Sequence, residues 1–129
     1  DEFGLTKALK IKEQLGGTVT VIHVGPASNE PIIRKALAIG ADSAVRIDGE
    51  AVDGLMVAHE IANYVKNNSF DLIFTGRESI DYNGGIVPHA LSAILNIPAI
   101  SPCVGLEITG NEAHLETFVD GGKEKLKTA

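Results

Sequence analysis

The feature that most constrains the fold is a regular alternation of short β-branched segments with amphipathic segments over the first 95 residues. Residues 18–24, 43–47 and 70–75 are short, apolar and rich in β-branched side chains, so they predict strands. Helical spacing of apolar residues precedes the first of these segments and follows each of them, which predicts four helices. Short joints between alternating strands and helices predict a parallel sheet with helices on both faces.

The pattern changes after Pro98. Residues 104–109 and 113–119 alternate as strands do and flank Gly110-Asn111, which predicts an antiparallel hairpin, and a further strand is expected within residues 120–129. The chain has 129 residues, of which 44% are hydrophobic, enough for one packed core. We therefore predict a single domain over residues 1–129, an α/β fold with three layers (α/β/α), a mostly parallel sheet and a C-terminal β-hairpin.

Composition excludes several function classes. The net charge of −6 argues against nucleic acid as a partner, because phosphate backbones require a basic face. Cys103 is the only cysteine, so no intrachain disulfide can form and a reducing, cytoplasmic location is expected. No apolar run approaches the ~20 residues that cross a bilayer, so no membrane insertion is expected. No spacing of His and Cys suits a metal, and no nucleophile is paired with a base, so we predict no metal ligand and no catalytic residue.

The stretch DLIFTGRESIDYNGG, residues 71–85, carries the main functional signal. It leaves a predicted strand, passes through a polar loop and enters a helix, and ligands of parallel sheets bind at that edge. Backbone N–H groups near the glycines and the guanidinium of Arg77 suit phosphate. Carboxylates of Glu78 and Asp81 suit ribose hydroxyls or an adenine amino group. A solvated loop rich in turn-forming residues is the alternative, although residues 23–28 also leave a strand and open a helix, so that two such turns would form a crevice.

Four blocks of the chain resemble the β-subunit of electron-transfer flavoproteins, the family that includes FixA-type proteins. They are ALKIKEQLGGTVTVIHVGPA, IRKALAIGADSAVRI, DLIFTGRESID and VDGGKEKLKTA, in order along nearly the whole chain. The resemblance implies a strand and loop before Asp1, and a Pro-led strand and C-terminal arm after Ala129. We therefore expect a fragment whose visible sheet has an unpaired gap or an unusual strand order.

The resemblance also implies a function. Family members are heterodimers with an α-subunit that holds the redox-active FAD. The β-subunit has a Rossmann-like sheet similar to that of adenine-nucleotide hydrolases, but it binds its nucleotide without hydrolysing it. The cleft holds AMP as a structural ligand in one branch, and in the bifurcating branch a second FAD that takes a hydride from NADH. The complex passes electrons from dehydrogenases to a quinone reductase or another acceptor.

Carried over by position, the resemblance implies a set of cofactor-binding residues at the strand ends and the following loop. These are Val24, Gly25, Gly76, Arg77, Glu78, Ser79, Ile80, Asp81, Asn83, Gly84, Gly85, Ile86 and Val87.

The chain departs from the family pattern in four places. The family commonly has Gln at Ile86, Gly at Pro88, Thr or Asn at Gly84, and a basic residue at Thr117. AMP, FAD and an empty cleft therefore all stay open.

Two other functions remain as alternatives. A nucleotide sensor of the universal-stress type shares the sheet, but it would carry a Gly-x-x-Gly-x(9)-Gly-Ser/Thr loop that this sequence lacks. An adenylating enzyme of the pyrophosphatase class would carry a Ser-Gly-Gly-x-Asp-Ser loop after a first strand that this chain does not contain.

Overall fold

The computed structural model describes residues 1–81 and 83–129. They form two compact units, Asp1–Leu95 and Asn96–Ala129, and each is described by itself. Within them, helices are combined with one parallel and one antiparallel sheet. The prediction of a single domain over residues 1–129 stays a prediction.

The first unit contains the alternation that the sequence predicts. Its elements are α1 (Glu2–Leu15), β1 (Thr20–Val24), a 3₁₀ turn (Ala27–Asn29), α2 (Glu30–Ala38), β2 (Ser43–Ile47), α3 (Gly54–Lys66) and α4 (Ile86–Leu95). The strands β1 and β2 are parallel, with Thr20 opposite Ser43 and Val24 opposite Ile47. Their carboxyl ends therefore meet at one edge of the sheet.

Local signals explain where the helices begin and end. The carboxylate of Asp1 accepts a hydrogen bond from the Gly4 N–H at 2.6 Å, and that of Asp53 accepts one from Met56 at 2.8 Å. Both are typical N-caps, which satisfy backbone donors that the first turn leaves unpaired. The chain leaves α1 through Gly16, whose φ of +80° favours glycine.

The prediction of a strand at residues 70–75 is wrong, because these residues have no regular secondary structure. A strand exists only where its backbone pairs with a neighbour, and the described residues supply none here. A cavity of about 290 Å³ is lined by residues 20–22 of β1 on one side and residues 72–75 on another. This cavity agrees with the expectation of an unpaired gap. The predicted parallel sheet is present, but in the described residues it has two strands where the sequence predicted three.

The core of the first unit is small. Ala58 and Ala62 of α3 pack against Leu91 of α4, and these three side chains are almost completely buried. Gly54, at the start of α3, lies against Ile86 at the start of α4, and an added Cβ there would collide with the Ile86 side chain. Small residues on α3 thus let the two helices approach closely along their length.

The second unit is an antiparallel meander. Its strands are β3 (Cys103–Thr109), β4 (Glu112–Val119) and β5 (Gly122–Thr128), in the order β3-β4-β5. The turns between them contain Gly110 and Gly121, both with positive φ, as short hairpin turns require. The predicted hairpin and the strand expected within residues 120–129 are therefore confirmed.

Among the described residues, no helix is long and apolar enough to cross a bilayer.

Asp42 joins α1 to the start of both strands, and this predicts a pH dependence. It accepts hydrogen bonds from Lys12 Nζ and from the Val19 N–H, both at 2.7 Å. These bonds, the Lys12 bond first, lower the pKa of Asp42 against the opposing effect of desolvation. A lowered pKa means that the carboxylate stabilises the fold at neutral pH, and that this stabilisation is lost as the pH falls below about 4.

We therefore expect Asp42→Asn to lower the urea midpoint at pH 7 and to lower it less at pH 3. Glu13→Gln, on the exposed part of α1, is the matched control and should shift neither midpoint. An equal decrease in the urea midpoint of Asp42→Asn at pH 7 and pH 3 would contradict a stabilising role of the ionised Asp42 carboxylate.

Candidate functional site

The first part of the candidate site is the turn that follows β1. Val24 and Gly25 are buried, and the Gly25 N–H donates to the Ile47 carbonyl at 3.0 Å, which extends the pairing of β1 with β2 by one residue. Pro26 then directs the chain into the 3₁₀ turn and α2. Both predicted residues of this turn thus lie at the carboxyl edge of the parallel sheet, where ligands of such sheets bind.

A side chain at position 25 would require His23 and Asn29 to move. A Cβ there would lie 2.6 Å from His23 Nε2 and 2.9 Å from Asn29 Nδ2. These two side chains are themselves 2.9 Å apart and share a hydrogen bond that ties the 3₁₀ turn to the strand. Asn29 occupies the N-cap position of α2 but makes no side-chain cap there. Its amide instead fixes the shape of the turn.

The two ends of the loop of residues 76–85 contact the starts of α1 and α3. Gly76 lies against Asp1 at the start of α1, while Lys12 near the end of α1 binds Asp42 at the amino edge of the strands. The start of α1, and Gly76 with it, therefore lies toward the carboxyl edge. At the far end of the loop, Ile86 contacts Gly54, which begins the helix that follows β2.

Ser79 closes the loop on itself. Its N–H donates to the Gly84 carbonyl, and its hydroxyl accepts from the Gly84 N–H, both at 3.0 Å. The Asn83 N–H also donates to the Ser79 carbonyl, at a positive φ of 55°. The Gly84 amide, which the sequence suggested as a phosphate donor, is therefore already bonded within the loop. Sequence reasoning missed this because it depends on the folded shape of the loop.

The other predicted loop residues differ in exposure. Arg77 is exposed and has no hydrogen bond or ion pair with any described residue. Ser79, Gly84, Gly85 and Val87 are half-buried, whereas Glu78, Ile80, Asp81, Asn83 and Ile86 are exposed. Of the predicted residues, only Gly76 and Val87 line the cavity beside β1. Tyr82, inside the loop, lies outside the described residues.

Sequence reasoning also missed Arg46, in β2. Its Nη1 donates to the Gly25 carbonyl at 2.9 Å and forms an ion pair with Asp48. The register places Arg46 opposite His23, so the strand pattern could have placed it beside this turn. In the described part of the chain, no group of three or more His, Cys, Asp or Glu side chains could hold a metal.

Comparison with known proteins decides the family. The family described as "Electron transfer flavoprotein domain" matches residues 1–128. The chain belongs to this family. The resemblance that the four sequence blocks suggested is thereby confirmed.

Curated relatives of the electron transfer flavoprotein family cover the chain almost completely. The electron transfer flavoprotein subunit beta of Bacillus subtilis is 39% identical over 132 residues, which cover 99% of this chain and 51% of the relative. Protein FixA of Azotobacter vinelandii is 31% identical, over 100% of this chain and 50% of the relative. The electron transfer flavoprotein subunit beta of Mus musculus is 26% identical, over 98% of this chain and 52% of the relative. The chain thus spans about half the length of the curated relatives it matches.

The closure of the loop by Ser79 can be tested directly. Ser79→Ala removes the acceptor of the Gly84 N–H, so the Gly84 amide should exchange with solvent roughly fivefold faster, as loss of one hydrogen bond predicts. Hydrogen exchange followed by NMR measures this rate. Ser69→Ala, in an exposed segment before residues 70–75, is the matched control. An unchanged exchange rate of the Gly84 amide in Ser79→Ala would contradict the hydrogen bond from the Gly84 N–H to the Ser79 hydroxyl.

Proposed function

We propose that this chain is the nucleotide-binding part of an electron-transfer flavoprotein β-subunit, which holds AMP or FAD at the carboxyl edge of its parallel sheet. The observation that carries the proposal is that the Gly25 turn lies at that edge, while the ends of the loop of residues 76–85 contact the starts of α1 and α3. Membership of the flavoprotein family and similarity to proteins named subunit beta support the same function.

Exposed side chains of the described loop residues are of the types that bind a nucleotide. Arg77 is exposed and unpaired among described residues, so its guanidinium is available for a phosphate or pyrophosphate. Glu78 is exposed on the same loop and can accept from ribose hydroxyls or an adenine amino group. A phosphate that took the Gly84 amide would replace the Ser79 hydroxyl as its acceptor. AMP bound there would be structural, whereas FAD would supply redox chemistry.

The proposal includes a partner, an α-subunit that carries FAD, with dehydrogenases as electron donors and a quinone reductase or another protein as acceptor. Family membership and the subunit names of the relatives support it. The surface of the first unit is compatible with it, because large apolar side chains are exposed: Phe3 by 87%, Ile32 by 73% and Ile39 by 57%. Such side chains are commonly covered when a subunit meets further protein.

The sensor of the universal-stress type is not favoured. The family match covers nearly the whole chain, and the phosphate loop that such a sensor needs is missing from the sequence. Turnover of ATP with release of pyrophosphate would instead favour the adenylating enzyme.

The decisive experiment identifies the nucleotide. The intact protein is expressed together with its neighbouring gene products, purified, and extracted for absorbance and mass measurements. We expect AMP or FAD in a stoichiometric amount, and a yellow, flavin-bearing partner that co-purifies. An extract without adenine nucleotide, together with no heat of binding for added AMP or FAD, would contradict the proposal.

Arg77 gives a second, residue-level test. Arg77→Ala should weaken AMP or FAD binding by about tenfold, because a charge-assisted hydrogen bond to phosphate is lost. The affinity of Arg77→Lys should lie between those of Arg77→Ala and the wild type, since lysine keeps the charge but not the forked geometry. Arg34→Ala, an exposed arginine of α2 that pairs with Glu30, is the control. Unchanged affinity for Arg77→Ala in calorimetry would rule out the phosphate role.

A further inference from the structure

The Gly25 peptide is held on both sides by consecutive residues of β2. Its N–H donates to the Ile47 carbonyl at 3.0 Å, and its carbonyl accepts from Arg46 Nη1 at 2.9 Å. The first bond continues the strand pairing. The second is made by a side chain, so it can be removed by substitution without changing the backbone.

Arg46 is itself fixed in place. Its side chain is 24% exposed, and its Nη1 also forms an ion pair with Asp48, two residues further along the chain. A guanidinium is planar and can bond two oxygens from one position, which a lysine ammonium on a flexible stem does less precisely. Here the guanidinium joins the Gly25 carbonyl, just after β1, to the Asp48 carboxylate, just after β2.

The turn has few other restraints. Gly25 has no side chain to anchor it, and Pro26 has no N–H to donate. Beyond the Ile47 bond, the turn is held by backbone bonds from the Asn29 N–H to the Pro26 carbonyl at 3.0 Å and from the Glu30 N–H to the Ala27 carbonyl. The side-chain bonds are the one between Asn29 and His23 and the one from Arg46 to Gly25. The direction in which the chain leaves β1 therefore depends strongly on the Arg46 bond.

We propose that Arg46 is a positioning residue for the nucleotide cleft: it pins the Gly25 carbonyl and so fixes the turn of residues 25–28 against which the nucleotide binds. The inference rests on the proposed function. Arg46 is assigned a role through Gly25 because its Nη1 is bonded to the Gly25 carbonyl and to Asp48. AMP and FAD share the adenylate portion that would meet this edge, so both should depend on Arg46 to a similar degree.

The test uses the intact protein and three variants. Arg46→Met removes the bond, Arg46→Lys keeps a cation that can reach the Gly25 carbonyl, and Arg34→Met is the matched control in α2. Dissociation constants for AMP and for FAD, each titrated alone, are measured by calorimetry, and the exchange of the Gly25 amide by NMR. We expect Arg46→Met to raise both constants about tenfold and to speed Gly25 exchange. Arg46→Lys should recover most of the affinity, and Arg34→Met should match the wild type.

Asp48→Asn provides a variant that folds even if Arg46→Met does not, since Asp48 is exposed. Asp48→Asn keeps Arg46 but removes the ion pair that orients its side chain, so the dissociation constants for AMP and FAD should both rise about threefold. Wild-type affinity in Arg46→Met, or in Asp48→Asn where Arg46→Met is unfolded, would overturn the inference while leaving the proposed function intact. Equal loss of affinity in Arg46→Met and Arg46→Lys would also overturn it. A wild-type protein that binds neither AMP nor FAD would overturn the proposed function and this inference together.

Discussion

The parallel pairing of β1 with β2 is the constraint on which the rest of the first unit depends. Parallel neighbours cannot be joined by a tight turn, so the chain must cross back through α2 before β2 can begin. Both strands then end at one edge, and everything that leaves them starts there. The turn at Gly25 and the capped start of α3 at Asp53 are direct consequences of this geometry.

For the proposed function, that edge would have to attract an anion in a protein whose net charge is −6. Overall charge does not help, so local donors have to carry the binding. The Gly84 amide contributes little net energy, because a phosphate would only replace the Ser79 hydroxyl as its acceptor. Arg46 is engaged by Gly25 and Asp48. Arg77 has no hydrogen bond or ion pair with any described residue, so in the proposed function it would form a new interaction with phosphate without exchanging an existing one.

The first unit leaves many apolar side chains exposed to solvent, and this bears on the proposed assembly. Its most buried cluster is built from two alanines and Leu91, and a cavity of about 290 Å³ lies beside β1. Parallel sheets are normally covered on both faces and flanked by further strands. The cavity and the exposed apolar side chains are therefore surfaces that further protein can cover, in keeping with the proposed assembly.

The sequence by itself determined the elements whose signals are local. Strand β2 has the predicted bounds of residues 43–47, and the C-terminal hairpin was also predicted correctly. Caps, turn glycines and apolar spacing act within a few residues, so they can be read from the chain alone. The resemblance to the family could also be recognised from the sequence, because four blocks match the family in order and spacing.

Only the tertiary structure decided the remaining features, since each depends on residues that are distant in sequence or on the folded shape of a loop. Residues 70–75 have the composition of a strand, but no segment within the described residues pairs with them. The crowding around Gly25 comes from the side chains of His23 and Asn29, and the bond from Arg46 to Gly25 crosses 21 positions. Composition specifies what a segment can form, but hydrogen-bond partners become known only when folding brings the two groups together.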